Sequence, residues 1–223
     1  MNEFPTTGTI LINKPAGWTS FDAVNFIRKK IRAADPQNKK LRVGHAGTLD
    51  PFATGLLIIA IGREATKKID EFKKLTKTYQ ATLFLGATSN TQDCTGQITT
   101  LKVTPPDSEQ IVITLNQFTG KQLQTPPMFS AKKVNGQRLY KLARQGKEVE
   151  RAPCEIEIYS IKLLEYNWPI LKIEVQCSSG TYIRTLAQDI GERLQTGAYC
   201  EALTRTAIGE YSLTDAQNLA KTE

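Results

Sequence analysis

Apolar residues fall into strand-length runs and helix-spaced stripes along the chain. Thr9 to Asn13 is a short apolar run closed by Lys14-Pro15-Ala16-Gly17, which predicts a buried strand and a turn. Thr19 or Ser20 then caps a helix whose positions Phe21, Val24, Ile27 and Ile31 recur at helical spacing. Arg28, Lys29, Lys30 and Arg32 gather at its end, where the helix dipole favours cations; a solvated helix end and an RNA-facing surface explain them equally well. Residues 33 to 41 are polar and form a loop. Leu56 to Ile61 is a continuous apolar strand, and residues 62 to 68 open a helix that turns Ile69 and Phe72 toward the core. Thr78 to Leu85 alternates, with Tyr79, Ala81, Leu83 and Leu85 on one face of a half-buried strand.

Residues 86 to 106, rich in Thr, Asn, Asp and Gly, predict a loop before a helix from Ser108 striped by Ile111, Leu115 and Phe118. Residues 121 to 151 differ from their surroundings. They hold Pro126-Pro127, Lys132-Lys133, Asn135-Gly136 and the basic run Arg138 to Arg144, and Leu139, Leu142 and Ala143 give one helix face too small to fold alone. A basic protrusion packed on the main body is expected. Glu155 to Leu164 and Leu171 to Cys177 predict a hairpin turning near Asn167-Trp168-Pro169. Ser178 to Thr181 start a helix striped by Ile183, Leu186, Ile190 and Leu194, with Gly197 past its end; Tyr199 to Ile208 is a strand and Thr214 to Lys221 a last short helix. Strands outnumber helices and many join as hairpins. The fold class is α+β, a mixed, mainly antiparallel β-sheet with flanking helices, expected as one domain over residues 1–223.

The chain has 223 residues, with 29 Lys+Arg against 22 Asp+Glu and a net charge of +7, which favours a polyanionic partner. Cys94, Cys154, Cys177 and Cys200 lie far apart with no C-x-x-C pair, so reduced, mostly buried thiols are expected rather than a zinc site or disulfide framework. The N-terminus lacks a leader pattern, and no apolar run is of membrane-spanning length, so a soluble, cytoplasmic protein is expected. Neither G-x-x-x-x-G-K-[ST] nor a strand-end G-x-G-x-x-G occurs, so nucleotide cofactors have no visible site.

Candidate chemistry concentrates in residues 44 to 57. His45, the single histidine, precedes Asp50 among Gly44, Gly47 and Gly55, and Pro51 bars Asp50 from ordinary helix. A shaped loop is expected, holding Asp50 at the mouth of the buried strand. One histidine supports neither a Ser-His-Asp triad nor a metal centre. Asp50 is left as general base, nucleophile or turn former.

The run Gly44-His45-Ala46-Gly47-Thr48-Leu49-Asp50-Pro51-Phe52-Ala53-Thr54-Gly55 resembles the signature of the tRNA pseudouridine synthase B (TruB) family, whose G-T-L-D aspartate is catalytic. Lys14 to Ser20, Glu64 to Lys67, Lys77-Thr78-Tyr79, Ser179 to Arg184 and Ala202 to Arg205 resemble further motifs of that family in the same order. The resemblance implies isomerisation of uridine to pseudouridine at position 55 in the T-loop of tRNA, with no metal and no cofactor. It implies catalytic roles for Asp50, Tyr79 and Arg184, with Arg184 expected to pair with Asp50. Tyr79 would stack on the uracil and Leu203 would form an apolar wall. Because a stacked uridine is out of reach, the base must be flipped, and His45 would fill the vacated stack. Lys14 and Lys67 are expected near the site, Lys67 on phosphate, and Tyr182 belongs to the arginine motif. Residues 121–151 correspond to an RNA-gripping insertion in which Lys132, Lys133, Arg138 and Arg144 would meet phosphates.

The partner is thus expected to be the T-arm of tRNA, bound by a monomer without membrane or metal. Many family members carry a C-terminal RNA-binding module, whereas this chain stops at Glu223, soon after the last motif. Two alternatives remain: a pseudouridine synthase acting on another RNA, and a non-catalytic chaperone that binds and folds tRNA.

Overall fold

The first helix begins where the sequence places a cap. Thr19 Oγ1 accepts a hydrogen bond from the Asp22 amide, and the Asp22 carboxylate accepts one from the Thr19 amide, closing a capping box. The computed structural model describes residues 4–38, 40–134 and 136–219. In chain order it contains β1 (Gly8–Lys14), α1 (Ser20–Ala34), β2 (Val43–Ala46), β3 (Thr54–Ile61), α2 (Arg63–Lys67), α3 (Ile69–Lys74), β4 (Lys77–Leu85), β5 (Ala87–Ser89), β6 (Ile98–Thr100), α4 (Ser108–Asn116) and β7 (Gly120–Gln124). There follow β8 (Lys133–Val134), β9 (Gln137–Arg138), α5 (Leu139–Ala143), β10 (Cys154–Asn167), β11 (Ile170–Cys177), α6 (Ile183–Arg193), β12 (Ala198–Ile208), β13 (Tyr211–Ser212) and β14 (Gln217–Asn218). The chain divides into two compact units: residues up to Tyr79 together with those from Leu203 onward, and Gln80–Ala202.

In the first unit β3 is the spine. β1 runs antiparallel to it from Gly8↔Ile61 to Lys14↔Gly55, β2 pairs with it antiparallel, and β12 lies parallel at Thr204↔Thr54 and Arg205↔Gly55. One face of β3, through Leu57, Ile59 and Ile61, meets Val24, Ile27 and Ile31 of α1. Its other face, through Leu56 and Ile58, meets Ile69, Phe72, Leu75 and Tyr211. Cover on both sides explains the uninterrupted apolar run. Each such fully buried Leu or Ile contributes roughly 1.5–3 kcal/mol relative to exposure.

Phe21 departs from the expected stripe. The buried positions of α1 are Ser20, Ala23, Val24, Ile27 and Ile31; Phe21, one position on from Ser20, is turned out, 57% exposed, with the Arg28 guanidinium 5.9 Å from its ring centroid. The single helix expected after Gly62 is two, because α2 buries no side chain and only α3 is anchored by Ile69 and Phe72. The last helix is absent among the described residues. Leu213–Asp215 make one 3₁₀ turn, and Gln217–Asn218 instead pair parallel with Ile12 and Asn13 of β1, where Asn13 Nδ2 donates to Asn218 Oδ1 at 3.0 Å. So short a segment gains more from an available strand edge than from isolated helix; residues 220 and 221 of the expected helix lie outside the description.

The second unit orders its strands β4-β11-β10-β7. β10 and β11 form the expected hairpin, and β7 joins from Cys154↔Gln124 to Ile158↔Gly120. The first residues of the expected protrusion are therefore a sheet strand. Within the remainder, β8 and β9 pair, and α5 buries Leu139 and Leu142; Asn135 of the expected Asn135-Gly136 turn is outside the described residues. Residues 86–106 carry the β5–β6 hairpin rather than loop alone, a pairing hidden because no β6 side chain is buried. Cys177 and Cys200 are buried, and Cys94 and Cys154 half-buried. Among the described residues no helix is long and apolar enough to cross a membrane.

Half-buried Asp189 on α6 has its pKa raised to about 6, first by burial and then by Glu192. The unfolded chain ionises near pH ~4 while the folded chain resists, so stability falls as pH rises from there through about 6. Asp189→Asn is expected to raise the melting temperature at pH 7 and to lose that advantage below about pH 4, as thermal denaturation across pH would show.

Candidate active site

Asp50 sits in the loop between β2 and β3, partly buried, and nearly every tie on that loop is made through the main chain. Ser20, at the start of α1, accepts from the Leu49 amide at 2.8 Å and donates to the Leu49 carbonyl at 3.2 Å. The Gly17 amide donates to the Pro51 carbonyl at 2.8 Å, and the Ala53 amide to that of Asp50 at 3.2 Å. Thr54 and Thr204 hydroxyls meet at 2.8 Å across β3 and β12. These bonds leave the carboxylate of Asp50 positioned by the backbone on either side of it.

Lys14 is fully buried. Its ammonium donates to the carbonyls of Pro15 at 2.8 Å, Trp18 at 2.7 Å and Pro51 at 3.5 Å, joining the end of β1 to the Asp50 loop. Burial is the largest influence and lowers its pKa to about 8, against the opposing pull of Asp50. Lys14 thus lies beside the Asp50 loop, where the sequence places it, with its ammonium bound to main-chain carbonyls.

His45 lies in β2 opposite Ile59, its Nδ1 buried without a hydrogen-bond partner. Burial first, then Arg205 and Lys73, hold its imidazole below the ordinary range, so the ring is neutral at pH 7. Tyr79 on β4 is 9% and Leu203 on β12 is 7% exposed. The Thr206 hydroxyl on β12 donates to the Thr78 carbonyl on β4 at 3.3 Å, and the strands that carry these two side chains are neighbours in the sheet. Lys67 is exposed and ion-paired with Glu64 at 2.8 Å, a surface pair of small energetic weight.

Within the second unit Arg184 is 3% exposed. Its Nη1 donates to the Thr91 carbonyl at 3.0 Å and lies 3.4 Å from Asp93 Oδ2, while Nη2 donates to the Phe129 carbonyl at 2.7 Å. Asp93 Oδ1 accepts from Thr91 Oγ1, the Thr95 amide and Thr95 Oγ1, which fixes the carboxylate that faces the guanidinium. Sequence reading missed Asp93; a lone Asp in a Thr-rich loop carries no visible signal. It also missed Gln124, whose side chain accepts from the Tyr182 amide at 2.8 Å and donates to the Tyr182 carbonyl at 3.0 Å, setting the start of α6. Lys132 is half-buried with its ammonium 2.6 Å from Cys154 Sγ, and Arg138 is exposed. Among the described residues no group of three or more His, Cys, Asp or Glu is placed to hold a metal ion.

The mixed sheet with flanking helices is the fold of pseudouridine synthases. The fold is similar to that in a crystal structure of a Cbf5-Nop10-Gar1 complex, with TM-score 0.71 and 26% identity over 96% of this chain and 53% of that one, so the chain spans about half its length. The family described as TruB family pseudouridylate synthase (N terminal domain) matches residues 32–183. Proteins called tRNA pseudouridine synthase B are similar over most of both chains: 45% identity with that of Protochlamydia amoebophila (96% of this chain, 79% of the relative), 48% with that of Bacteroides fragilis (95% and 91%) and 50% with that of Parabacteroides distasonis (92% and 88%). The chain belongs to the TruB family of pseudouridine synthases.

Two outcomes follow from this geometry. The Lys14 ammonium, followed by side-chain NMR, is expected to titrate near 8, and lower still in Asp50→Asn, because the carboxylate that favours its charged form is gone; titration in the ordinary lysine range would refute the burial. Asp93→Ala removes the carboxylate that lies 3.4 Å from the buried Arg184 guanidinium and is expected to destabilise the fold by about 3–5 kcal/mol in denaturant melts.

Proposed function

We propose that this chain converts uridine to pseudouridine at position 55 of the tRNA T-loop, with Asp50 as the reacting carboxylate. The observation that carries the reading is the backbone-fixed Asp50 loop within a chain similar to named tRNA pseudouridine synthases. The reaction breaks the N1–C1′ glycosidic bond, turns the uracil and joins C1′ to C5; the C5 proton leaves and N1 regains one, so atoms balance without an added reactant. A carboxylate serves either by adding to the sugar or by taking a proton.

The remaining roles follow the family motifs. Tyr79 stacks on the flipped uracil against Leu203, and Arg184, with Tyr182 beside it, completes the catalytic set. The neutral ring of His45 suits the vacated stack, since a charge there would have to shed its hydration. Lys67, Lys132 and Arg138 meet phosphates, which orient the RNA without reading its sequence. A tRNA substrate implies work in the cytoplasm, and a monomer suffices for it.

The test is an unmodified T-arm stem-loop RNA incubated with wild type and Asp50→Asn, assayed for pseudouridine and for binding. Wild type is expected to modify the T-loop uridine, while Asp50→Asn loses at least about 10³-fold in rate yet still binds. Binding without product from the wild type would favour the folding chaperone instead.

A further inference from the structure

We propose that Arg205 is the positioning residue of the Asp50 loop, closing it by hydrogen-bonding the main chain at both of its ends. The inference rests on Asp50 being the reacting carboxylate. Arg205 lies on β12 and is 1% exposed. Its Nε donates to the Leu56 carbonyl at 2.8 Å and its Nη2 to the Gly47 carbonyl at 3.0 Å. Gly47 follows β2 and Leu56 lies within β3, so residues 48–55 are strung between two carbonyls held by one guanidinium. A planar fork with fixed donor directions can hold two such acceptors; a lysine ammonium on its flexible stem holds neither in a set direction.

The main chain is shaped to admit this contact. A Cβ on Gly55 would lie 2.4 Å from the Arg205 carbonyl oxygen, and one on Gly47 would lie 3.5 Å from Arg205 Nη1. Gly55 at φ +105° and Gly47 at φ +88° take backbone conformations that other residues rarely adopt. The pairing of Arg205 with Gly55 across β12 and β3 then puts the guanidinium at the root of the loop rather than at its tip.

The placement is costly if it serves the fold alone. Both partners are neutral carbonyls, which compensate a buried cation less well than a carboxylate does. The charge reaches the site nonetheless: it opposes protonation of both Lys14 and His45. Arg205 therefore fixes the geometry of the loop and biases the charge state of the residues around it.

Arg205→Lys keeps the charge and loses the fork, and Arg205→Met loses both. With unmodified tRNA as substrate, both variants are expected to lower kcat about tenfold or more, as small misplacements of reacting groups do, while KM stays within about twofold. His45 is the single histidine, so its NMR titration is read directly; its pKa should rise in Arg205→Met and stay near wild type in Arg205→Lys. Wild-type kcat in Arg205→Lys, with the wild type active, overturns the inference. If Arg205→Met fails to fold, the lysine variant carries the test. If the wild type itself forms no pseudouridine, it is the proposed reaction that fails, and the amide shifts of Leu49 and Ala53 decide on the clasp. Movement toward random-coil values in Arg205→Lys supports it, and unchanged shifts overturn it.

Discussion

Buried cations bound to main-chain carbonyls are the constraint on which the rest of this site depends. In the loop between β2 and β3 Leu49 and Ala53 are buried, and the backbone around them is tied from outside as well. Lys14 reaches the Pro51 carbonyl from the end of β1, and Arg205 reaches the carbonyls of Gly47 and Leu56 from β12. Both cations lie against β3, whose two faces are buried. The stability of the sheet is thereby passed on to a carboxylate that itself stands partly in solvent.

Arg184 shows the other solution to the same problem. Its burial is balanced by a carboxylate, and Asp93 is in turn saturated by two threonines. Removing either member takes a buried charge partner from the other, so the pair holds its place. Carbonyl-bound cations such as Lys14 shape a backbone, whereas an ion-paired arginine is a fixed charge with a defined direction. The two arrangements suit a loop that must keep its form and a guanidinium that must keep its aim.

Much of this architecture was legible in the sequence because local signals agreed with tertiary demands. The run from Leu56 to Ile61 and the alternation around Tyr79 are strands as read, and of the two caps offered, Thr19 and Ser20, the structure uses Thr19. Phe21 was misassigned because helical spacing alone fits two adjacent stripes, and only packing against β3 chooses between them. The β5–β6 hairpin and the strand at Gln217 were hidden because their stability comes from partners distant in sequence rather than from their own side chains. Within the site, motif residues such as Asp50 could be named, yet their supports could not. Asp93, Gln124 and Arg205 work through polar contacts across long sequence separations, and no period or composition announces such contacts.

The central claim is that the Asp50 loop is already shaped in the free protein. Hydrogen exchange at the amides of Gly17, Leu49 and Ala53, which donate to Pro51, Ser20 and Asp50, measures this most directly. The account predicts protection approaching that of β3 in the absence of RNA. Exchange at the rate of an unstructured chain would contradict it, and would mean that the loop takes its form only when RNA binds.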